Sequence, residues 1–354
     1  MAATNNTLIF KKPPSGPLPT PGEHIAVESR PFDPSSPPPT GGLTLSILLV
    51  SLDPFLTDRI RDPAVESWIP AYDIDSPITN DGIARVIKSD SPAYKPGDLI
   101  IADLPMAEFA SFTSEEVSKR VKNILQNPHN FQDLSVFLGP LGMTGLTAYS
   151  SLFEIGKPKA GETIFISSAS GAVGQIVGQI AKREGLKVIG SVGSDDKLKY
   201  IVDELGFDGG FNYKKETTKD ALARLAPEGL DIYYDNVGGE QLDGAIWHIK
   251  VGARIVVCGM ITQYGKPPEE WYGIKNLLLF LERRATMRSF LVWDEEMGPA
   301  YKEEHLEKMG RWLAEGSVKA KFSMTEGVEN SAEGLVDLFR GRNFGKAVLR
   351  VKSE

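Results

Sequence analysis

The stretch from Thr163 to Val192 constrains the fold of this chain more than any other. It begins at 163–166 with a short β-branched and aromatic run, typical of a parallel strand buried on both faces. A turn of small residues follows at 167–174, and beyond it apolar residues recur on one face of a helical pattern. A second strand pattern covers 187–192. Strand, glycine turn, helix and strand in this order predict the first βαβ unit of a dinucleotide-binding domain.

Three glycines in this stretch have separate predicted roles. Gly171 has no Cβ and therefore lets a diphosphate approach the backbone, while Gly174 and Gly178 let the helix pack closely against the sheet. The N-terminus of the helix offers N–H groups and the positive end of its dipole to the phosphates. The spacing GxxGxxxG differs from the commoner GxGxxG, so its place between two strands is what gives the motif its meaning.

The residues after the second strand distinguish the two nicotinamide dinucleotides. NAD-binding units usually place a carboxylate about 20 residues after the glycines, where it holds the ribose 2′-hydroxyl. Here Ser194 and Lys197 follow the strand, so a lysine can neutralise a 2′-phosphate and a serine can hydrogen-bond to it. Asp195 and Asp196 argue the other way, but acids in the first turn of a helix also serve as partners of its dipole. The pattern favours NADP over NAD.

Composition bounds the class of protein. The chain has 354 residues, long enough for two domains, and its 41% hydrophobic and 24% charged residues are those of an ordinary globular protein. A net charge of −8 argues against nucleic acid or an anionic membrane as the main partner. No apolar stretch has membrane-spanning length, and the N-terminus lacks the pattern of a secretory signal. We expect a cytoplasmic protein.

The count of cysteines decides a chemical question. The single cysteine, Cys258, excludes an internal disulfide and fits a reducing compartment. It also excludes a four-thiolate zinc site. The histidines show no ligand spacing and are His24, His129, His248 and His305. We therefore expect no metal.

The N-terminal third and the centre of the chain differ in pattern. Ten of the 24 prolines lie in the first forty residues, and the strand patterns that follow are short and broken, which predicts a small β-barrel. Beyond it, six strand patterns alternate with helices, which predicts a doubly wound α/β sheet. Composition leaves open whether the final strand, at 347–351, returns to this β domain and so makes the nucleotide domain an insertion.

Further elements of the nucleotide domain follow from the same patterns. A helix with small-residue breaks covers 135–152 and leads into the domain. A strand at 253–258 ends in a loop, after which we predict a helix over 271–284 and a last strand over 286–292. Ligands of such sheets lie at the carboxyl ends of the strands, so the loops there are the expected binding segments.

Several motifs stand in a fixed order along the chain. They are LGMTGLTAY from Leu141, GAVGQIVGQIAK from Gly171, GSDDK from Gly193, FNYK from Phe211, DNVGG from Asp235, CGMITQY from Cys258 and GRNFGK from Gly341. With this set the chain resembles the zinc-independent medium-chain dehydrogenase/reductases, and among them the leukotriene B4 dehydrogenase/prostaglandin reductase and alkenal double-bond reductase group. The N-terminal third matches weakly, mainly through LDPF at 52–55, which is similar to the family's VDPYMR.

The resemblance implies a GroES-like barrel of residues 1–135 and 316–354 with an inserted Rossmann domain of residues 136–315, usually in a homodimer. It also implies NADPH-dependent reduction of the C=C bond of α,β-unsaturated aldehydes and ketones. The residues implied to hold the diphosphate are Gly171, Ala172, Val173 and Gly174. With Ser194 added from the strand-end pattern, those expected to bind the rest of NADP(H) are Ser194, Lys197, Tyr213, Asn236, Cys258, Gly259, Met260, Ile261, Thr262, Gln263, Tyr264, Phe290, Leu291, Val292 and Asn343.

Two positions depart from the family's pattern. Phe55 stands where the family has tyrosine, which removes a hydroxyl from the expected substrate pocket. Ser168 stands where the family has alanine, a smaller change at the phosphate turn.

Conjugate reduction needs a hydride for the β-carbon, stabilisation of the enolate oxygen and a proton for the α-carbon. Tyr264 follows the strand tip expected to face the nicotinamide, and a phenol can donate a hydrogen bond to developing oxyanion charge. We predict Tyr264 as the catalytic residue, with this phenol or a water as the proton source. The alternatives are a quinone reductase, a carrier-linked enoyl reductase and a protein that binds NADPH without turnover.

Overall fold

The computed structural model describes residues 3–351, which form two compact units. The first unit comprises residues 3–138, 322–343 and 347–351, and the second comprises residues 139–321 and 344–346. Each unit has its own sheet and its own apolar core. Throughout the described range, every helix is too short or too polar to span a lipid bilayer.

The elements are numbered in chain order. The strands are β1 (Ala3–Phe10), β2 (Ile25–Phe32), β3 (Leu43–Ser51), β4 (Thr79–Ser89), β5 (Leu99–Pro105), β6 (Phe109–Phe112), β7 (Val121–Ile124), β8 (Thr163–Ile166), β9 (Lys187–Val192), β10 (Gly209–Asn212), β11 (Leu230–Asp235), β12 (Ile249–Val257), β13 (Thr286–Ser289), β14 (Phe322–Glu326) and β15 (Lys346–Arg350). The α-helices are α1 (Leu56–Arg59), α2 (Ser114–Arg120), α3 (Met143–Ser151), α4 (Gly174–Arg183), α5 (Asp195–Lys199), α6 (Thr218–Leu225), α7 (Gly239–Trp247), α8 (Leu278–Arg283), α9 (Gly298–Ala314) and α10 (Ser331–Phe339).

The first unit is built on a seven-stranded sheet in the order β14-β15-β3-β4-β5-β7, with β6 also paired to β3. β3 is central and almost wholly buried, as its apolar sequence predicts. The last strand, β15, pairs antiparallel with β3 and places Val348 opposite Ser51. The final strand therefore lies in the sheet of the first unit. β1 and β2 form a separate antiparallel pair.

The second unit contains a parallel sheet of six strands in the order β10-β9-β8-β11-β12-β13. In terms of position along the chain this is third, second, first, fourth, fifth, sixth, the order of a doubly wound dinucleotide-binding fold. The predicted fold class is therefore confirmed.

Both faces of the sheet are covered at its inner strands, which explains why β8 is buried along its whole length. Ile164 and Ile166 of β8 pack into the core on one face, together with helix α4. Phe165 between them belongs to the core on the other face, where its ring stacks on Tyr233 at 4.9 Å. Alternate residues of one strand thus serve two separate apolar cores.

Gly178 has a different role from the predicted one. A Cβ at this position of α4 would lie 1.9 Å from Cζ of Phe207, in the loop before β10. The glycine therefore makes room for an aromatic ring that enters between helix and sheet, and what it contacts is this ring.

The helix predicted at 135–152 is interrupted. A 3₁₀ turn covers Leu134–Phe137, and α3 begins only after a separate turn in which the Gly142 N–H donates to Gly139 O at 3.0 Å. The glycines and the proline of this stretch account for the break, because they favour turns over a continuous helix.

The helix predicted at 271–284 is wrong over its first half, since the α-helix is limited to α8. The buried Asp243 carboxylate accepts hydrogen bonds from the backbone N–H groups of Lys275 (2.9 Å) and Asn276 (3.1 Å). These N–H groups are held by a side chain from α7, so the segment forms a loop in place of a helical turn.

The last strand of the parallel sheet, predicted at 286–292, ends at Ser289. The chain then turns, and the Gly298 N–H donates to the Val292 carbonyl at 2.7 Å. This hydrogen bond closes a turn that leads into α9, so residues 290–292 are a loop.

Candidate functional site

The cofactor-binding residues predicted in the second unit all follow the carboxyl ends of its parallel strands. Since parallel strands end on one edge of a sheet, the structure brings these loops together. In chain order the loops are residues 171–174 after β8, Ser194 and Lys197 after β9, Tyr213 after β10, Asn236 after β11, residues 258–264 after β12 and residues 290–292 after β13. The other two predicted residues, Asn343 and Phe55, belong to the first unit.

The glycine turn has the tight geometry that a phosphate site requires. Ser168 adopts a left-handed backbone conformation with φ of 51°, and its carbonyl accepts a hydrogen bond from the Gly171 N–H at 2.9 Å. A Cβ at Gly174 would lie 2.4 Å from the same carbonyl oxygen, so only glycine fits there. Helix α4 begins at Gly174 and directs its N-terminus at the turn.

A short segment of the C-terminal chain supports this turn. The Gly345 N–H donates to Ser170 O at 3.0 Å, and Gly345 forms an isolated bridge with Gly171. A Cβ at Gly345 would lie 1.9 Å from Lys321 O, which explains the glycine in the GRNFGK motif. Residues 344–346, which come directly after Asn343 in the chain, are therefore held against the phosphate turn.

The loops after β9 and β10 form a positively charged corner. Ser194 caps α5, and its hydroxyl accepts a hydrogen bond from the Lys197 N–H at 3.3 Å. Partial burial and the nearby charge of Lys214 lower the pKa of Lys197. The Tyr213 hydroxyl lies here too, because a Cβ at Gly193 would be 3.1 Å from it. Two lysines held close together are favoured by an anion between them, as a phosphate would be.

Lys214 is a member of this corner that the sequence analysis left out of the site. Its Nζ lies 6.0 Å from the centre of the Tyr213 ring, and its charge acts on Lys197. The available signal was its place in the FNYK motif, directly after Tyr213.

The carboxylate of Asp195, which argued for NAD, is directed to other partners. It accepts hydrogen bonds from Asn212 Nδ2 at 3.0 Å and from Lys215 Nζ at 2.5 Å. These partners lower the pKa of Asp195, so it stays ionised and tied to β10. Asp195 serves to join α5 to the neighbouring strand.

The end of β11 is held by a buried carboxylate. Asp235 Oδ1 accepts hydrogen bonds from the Tyr233 hydroxyl (2.7 Å) and from the Val237 (2.9 Å) and Gly238 (2.8 Å) N–H groups. Burial nevertheless raises the pKa of Asp235. The adjacent Asn236 donates through Nδ2 to Ser167 O at 2.7 Å, which fixes its side chain beside the end of β8.

The loop after β12 is tied to the loop after β11. The backbone N–H groups of Cys258 and Gly259 both donate to Asp235 O, at 2.8 and 3.0 Å. The Thr262 hydroxyl donates to Val237 O at 2.6 Å. The path of residues 258–264 is therefore set by main-chain contacts, and its side chains are positioned by them.

Tyr264 places its hydroxyl at the end of β12. The Met260 N–H donates to the phenol oxygen, with 3.4 Å between the two atoms. A Cβ at Gly259 would lie 3.1 Å from that oxygen, so a larger residue there would crowd the hydroxyl. The ring is half-buried. A phenol is thus held at the edge where the predicted nicotinamide end of the site lies.

Cys258 has the properties of a packed thiol. Its surroundings raise the pKa of the Cys258 thiol to about 12, mainly through burial. The thiol therefore stays protonated at neutral pH. Only the deprotonated thiolate acts as a nucleophile or as a metal ligand.

The loop after β13 is ordered by its own hydrogen bonds. The Leu291 N–H donates to Asp294 Oδ2 at 2.8 Å. Phe290 packs against the same core as α4, while Leu291 is exposed.

Phe55 lies in the first unit at the start of α1. It is half-buried, and its ring meets the Trp68 ring edge-on with 6.2 Å between the centroids.

A metal site does not fit the described part of the chain. No group of three or more His, Cys, Asp or Glu side chains within residues 3–351 is placed to hold an ion. His305, the most buried histidine, uses Nε2 on Pro140 O at 2.8 Å, and burial lowers its pKa to about 4.

Comparison with known proteins gives the family. Residues 172–306 match a family model described as zinc-binding dehydrogenase, and residues 9–120 match one described as the N-terminal domain of oxidoreductase. The chain is 49% identical over 347 residues to the NADP-dependent oxidoreductase RED1 of Cochliobolus heterostrophus, covering 98% of this chain and 97% of RED1. It is 39% identical over 312 residues to an NADP(+)-dependent 2-alkenal reductase of Nicotiana tabacum, and the match covers 87% of this chain and 86% of that reductase.

A solved structure agrees over the full length. The crystal structure of CurA from Vibrio vulnificus in complex with NADPH matches with a TM-score of 0.86 and 30% identity, covering 99% of this chain and 100% of CurA. The strand order, the loops at the carboxyl edge of the sheet and these relatives all indicate the same family. The chain belongs to the medium-chain dehydrogenase/reductases, in the group of NADP(H)-dependent oxidoreductases that contains the leukotriene B4 dehydrogenases and the alkenal double-bond reductases.

Proposed function

We propose that this protein is an NADPH-dependent reductase of the C=C bond of α,β-unsaturated aldehydes or ketones. The observation that carries the proposal is the Tyr264 hydroxyl, held at the end of β12 on the nucleotide edge of a chain 39% identical to a 2-alkenal reductase. We assign nucleotide binding to residues 136–315 and substrate binding mainly to residues 1–135 and 316–354.

The side chains at the edge of the sheet fit NADP(H). The tight turn at residues 171–174 and the N-terminus of α4 suit the diphosphate, because Gly171 and Gly174 have no Cβ and none of these four residues is acidic. Ser194, Lys197, Tyr213 and Lys214 suit the 2′-phosphate, to which they offer hydroxyl groups and positive charge.

The proposed chemistry assigns a separate task to Tyr264. When bound at the residues named above, NADPH would supply the hydride for the β-carbon. The Tyr264 phenol donates a hydrogen bond to the substrate's carbonyl oxygen, where negative charge develops as the enolate forms. Such a donor accelerates the reaction only if it is already oriented, and here the Met260 N–H and the tight approach to Gly259 orient it. The α-carbon then takes a proton from Tyr264 or from water.

A substrate screen tests the reaction class. NADPH oxidation is followed with a series of enals, enones, quinones and carrier-bound enoyl thioesters, and the products are identified by mass spectrometry. We expect the enals or enones to give saturated products that keep their carbonyl group. Oxidation with quinones or thioesters alone would contradict the proposal, as would tight NADPH binding with no turnover on any compound.

The role of Lys197 is tested by Lys197→Ala. We expect the KM for NADPH to rise about tenfold or more while the KM for NADH changes little, because only NADPH carries the 2′-phosphate. Lys214→Ala should act in the same direction. Lys199→Ala, an exposed lysine on the same helix, is the matched control. Equal effects of Lys197→Ala on both cofactors would remove the 2′-phosphate role.

The role of Tyr264 is tested by Tyr264→Phe, which removes the hydroxyl and keeps the ring. We expect kcat to fall about a hundredfold, the size of effect that loss of one oxyanion donor gives, with a small change in the KM for NADPH. Tyr94→Phe in the first unit is the control. An unchanged kcat would leave the phenol without a chemical role.

We also propose that the protein acts as a homodimer. The observation in support is β13, an edge strand of the parallel sheet whose four residues are all exposed. An exposed strand edge can pair with the same edge of a second copy about a two-fold axis.

A further inference from the structure

An aromatic pair stands at the start of α1 in the first unit. The rings of Phe55 and Trp68 meet edge-on with their centroids 6.2 Å apart, a favourable geometry for two aromatic rings. Phe55 is the residue that we assign to the substrate. Trp68 comes from a later segment, residues 61–71, that runs over the surface and returns to α1.

Hydrogen bonds to both ends of this segment fix its position. At its start the Arg61 guanidinium donates through Nη1 to Asp58 O in α1 and through Nε to Val65 O within the segment, the latter at 2.9 Å. At its end the Arg59 Nε–H donates to Pro70 O at 3.3 Å, and the Tyr72 N–H donates to Arg59 O at 2.9 Å. The segment is therefore a strap tied to α1, and its side chains have set positions.

Trp68 is held by a specific partner and is still half-exposed. Its indole Nε1–H donates to Asp58 Oδ2 at 2.9 Å, so the polar tip of the side chain is satisfied. The residue is nevertheless 49% exposed. What remains open is therefore the apolar ring surface, which makes a rigid wall beside Phe55. An oriented apolar wall is suited to a flat or apolar ligand.

We propose that Trp68 is a specificity-determining residue that extends the apolar surface of Phe55 and selects enals and enones with a long apolar or aromatic β-substituent. This inference rests on the proposed reductase function. The chemistry of the wall supports the class of substrate. Both rings offer apolar surface, to which a long apolar or aromatic substituent can pack.

The test compares a short and a long substrate in one variant. For Trp68→Ala, we measure kcat/KM with propenal, trans-2-nonenal and cinnamaldehyde. The kcat/KM for each of the two longer substrates is then divided by the kcat/KM for propenal. We expect this ratio to fall about tenfold relative to the wild type, because only the longer substrates reach the indole. Trp247→Ala removes a tryptophan of similar exposure, 47%, from α7 and is the control that should leave the ratio unchanged.

A second pair of variants tests Asp58 as a positioning residue, in case Trp68→Ala folds poorly. Asp58→Ala removes the acceptor for the indole N–H and should lower the same ratio through a higher KM for the long substrates. Asp58→Asn keeps an acceptor oxygen and should restore the ratio toward the wild-type value. This rescue would not occur if Asp58 merely supported the fold through its charge.

The outcomes separate this inference from the proposed function. If the wild type reduces propenal and the long enals but the ratio is unchanged in Trp68→Ala and Asp58→Ala, the role of Trp68 is overturned and the reductase function stands. If the wild type reduces no enal and no enone of the substrate screen, the proposed function fails, and the inference fails with it; if only enones react, the ratio is measured with a short and a long enone.

Discussion

Cys258 shows at the scale of one residue how environment decides chemistry. It lies directly after β12, on the edge where the nucleotide loops gather, yet its surroundings raise the pKa of the thiol from 9.0 to about 12. Near neutral pH the thiolate fraction is then about a thousandfold smaller than for an unshifted thiol. Since Cys258 is the single cysteine, we expect the native protein to react with a thiol reagent at least about thirtyfold more slowly than the unfolded protein, because the higher nucleophilicity of a less acidic thiol offsets only part of the smaller thiolate fraction.

Ellman's reagent measures this difference directly at one pH, before and after denaturation in urea. The rate in the native state should rise with pH well beyond the range in which ordinary thiols titrate. Rapid modification of the native protein at pH 8 would contradict the assignment of Cys258 as a packed residue and would reopen a nucleophilic role for it.

The charged residues around Lys197 show what a sequence can and cannot predict at this scale. The order of Ser194 and Lys197 after a strand indicates a 2′-phosphate site, and the structure brings these residues together. The orientation of Asp195 toward Asn212 and Lys215 could not be predicted, because it depends on β10 lying beside β9. The contribution of Lys214 depends on the same neighbour.

At the scale of elements, the strands β8, β9 and β11 were predictable because they are buried on both faces and are therefore largely apolar. The loop before α8 was not predictable from periodicity. Its apolar residues recur as in a helix, but Asp243 of α7 accepts the N–H groups that a helix would use. A contact with a separate element overrides the local pattern here. The sequence pattern did not predict the short strands β7 and β14, because partly exposed runs of four or five residues give weak patterns.

The packing of α4 gives a prediction for one element. In Gly178→Ala the added Cβ would lie 1.9 Å from Cζ of Phe207, a buried ring that cannot move away freely. We expect the free energy of unfolding to fall by about 2 kcal/mol, the range for overpacking of a core, despite the better helix propensity of alanine. Urea unfolding measures the change.

Two further variants make the cause specific. Gly273→Ala, where a Cβ would meet no heavy atom within 4 Å, should change the free energy of unfolding by less than about 0.5 kcal/mol. Phe207→Leu combined with Gly178→Ala should recover part of the loss expected from the sum of the two single changes. Strict additivity would show that the ring is not the obstacle.

At the scale of the whole molecule, the outer edge of strand β13 in the parallel sheet is the surface at which we expect a second copy to pair. Helix α8 packs on β12 beside this edge and carries Leu278 and Leu281, which are 66% and 76% exposed, while Met287 on β13 is 44% exposed. Apolar side chains next to an unpaired strand edge favour association, and a two-fold axis at β13 would join two sheets of six strands into one.

Light scattering after size-exclusion chromatography tests this arrangement. The wild type should elute with twice the mass of the chain, and Leu281→Asp combined with Met287→Asp should give the single mass, because like charges would face each other across the axis. Since both side chains are exposed, each variant chain should keep its fold and its affinity for NADPH. Val65→Asp, an exposed apolar residue of the first unit, is the control that should leave the mass doubled. A doubled mass in the charged double variant would show that the copies associate through another surface. A single mass in the wild type would show that the protein is a monomer and that the edge of β13 stays exposed to solvent.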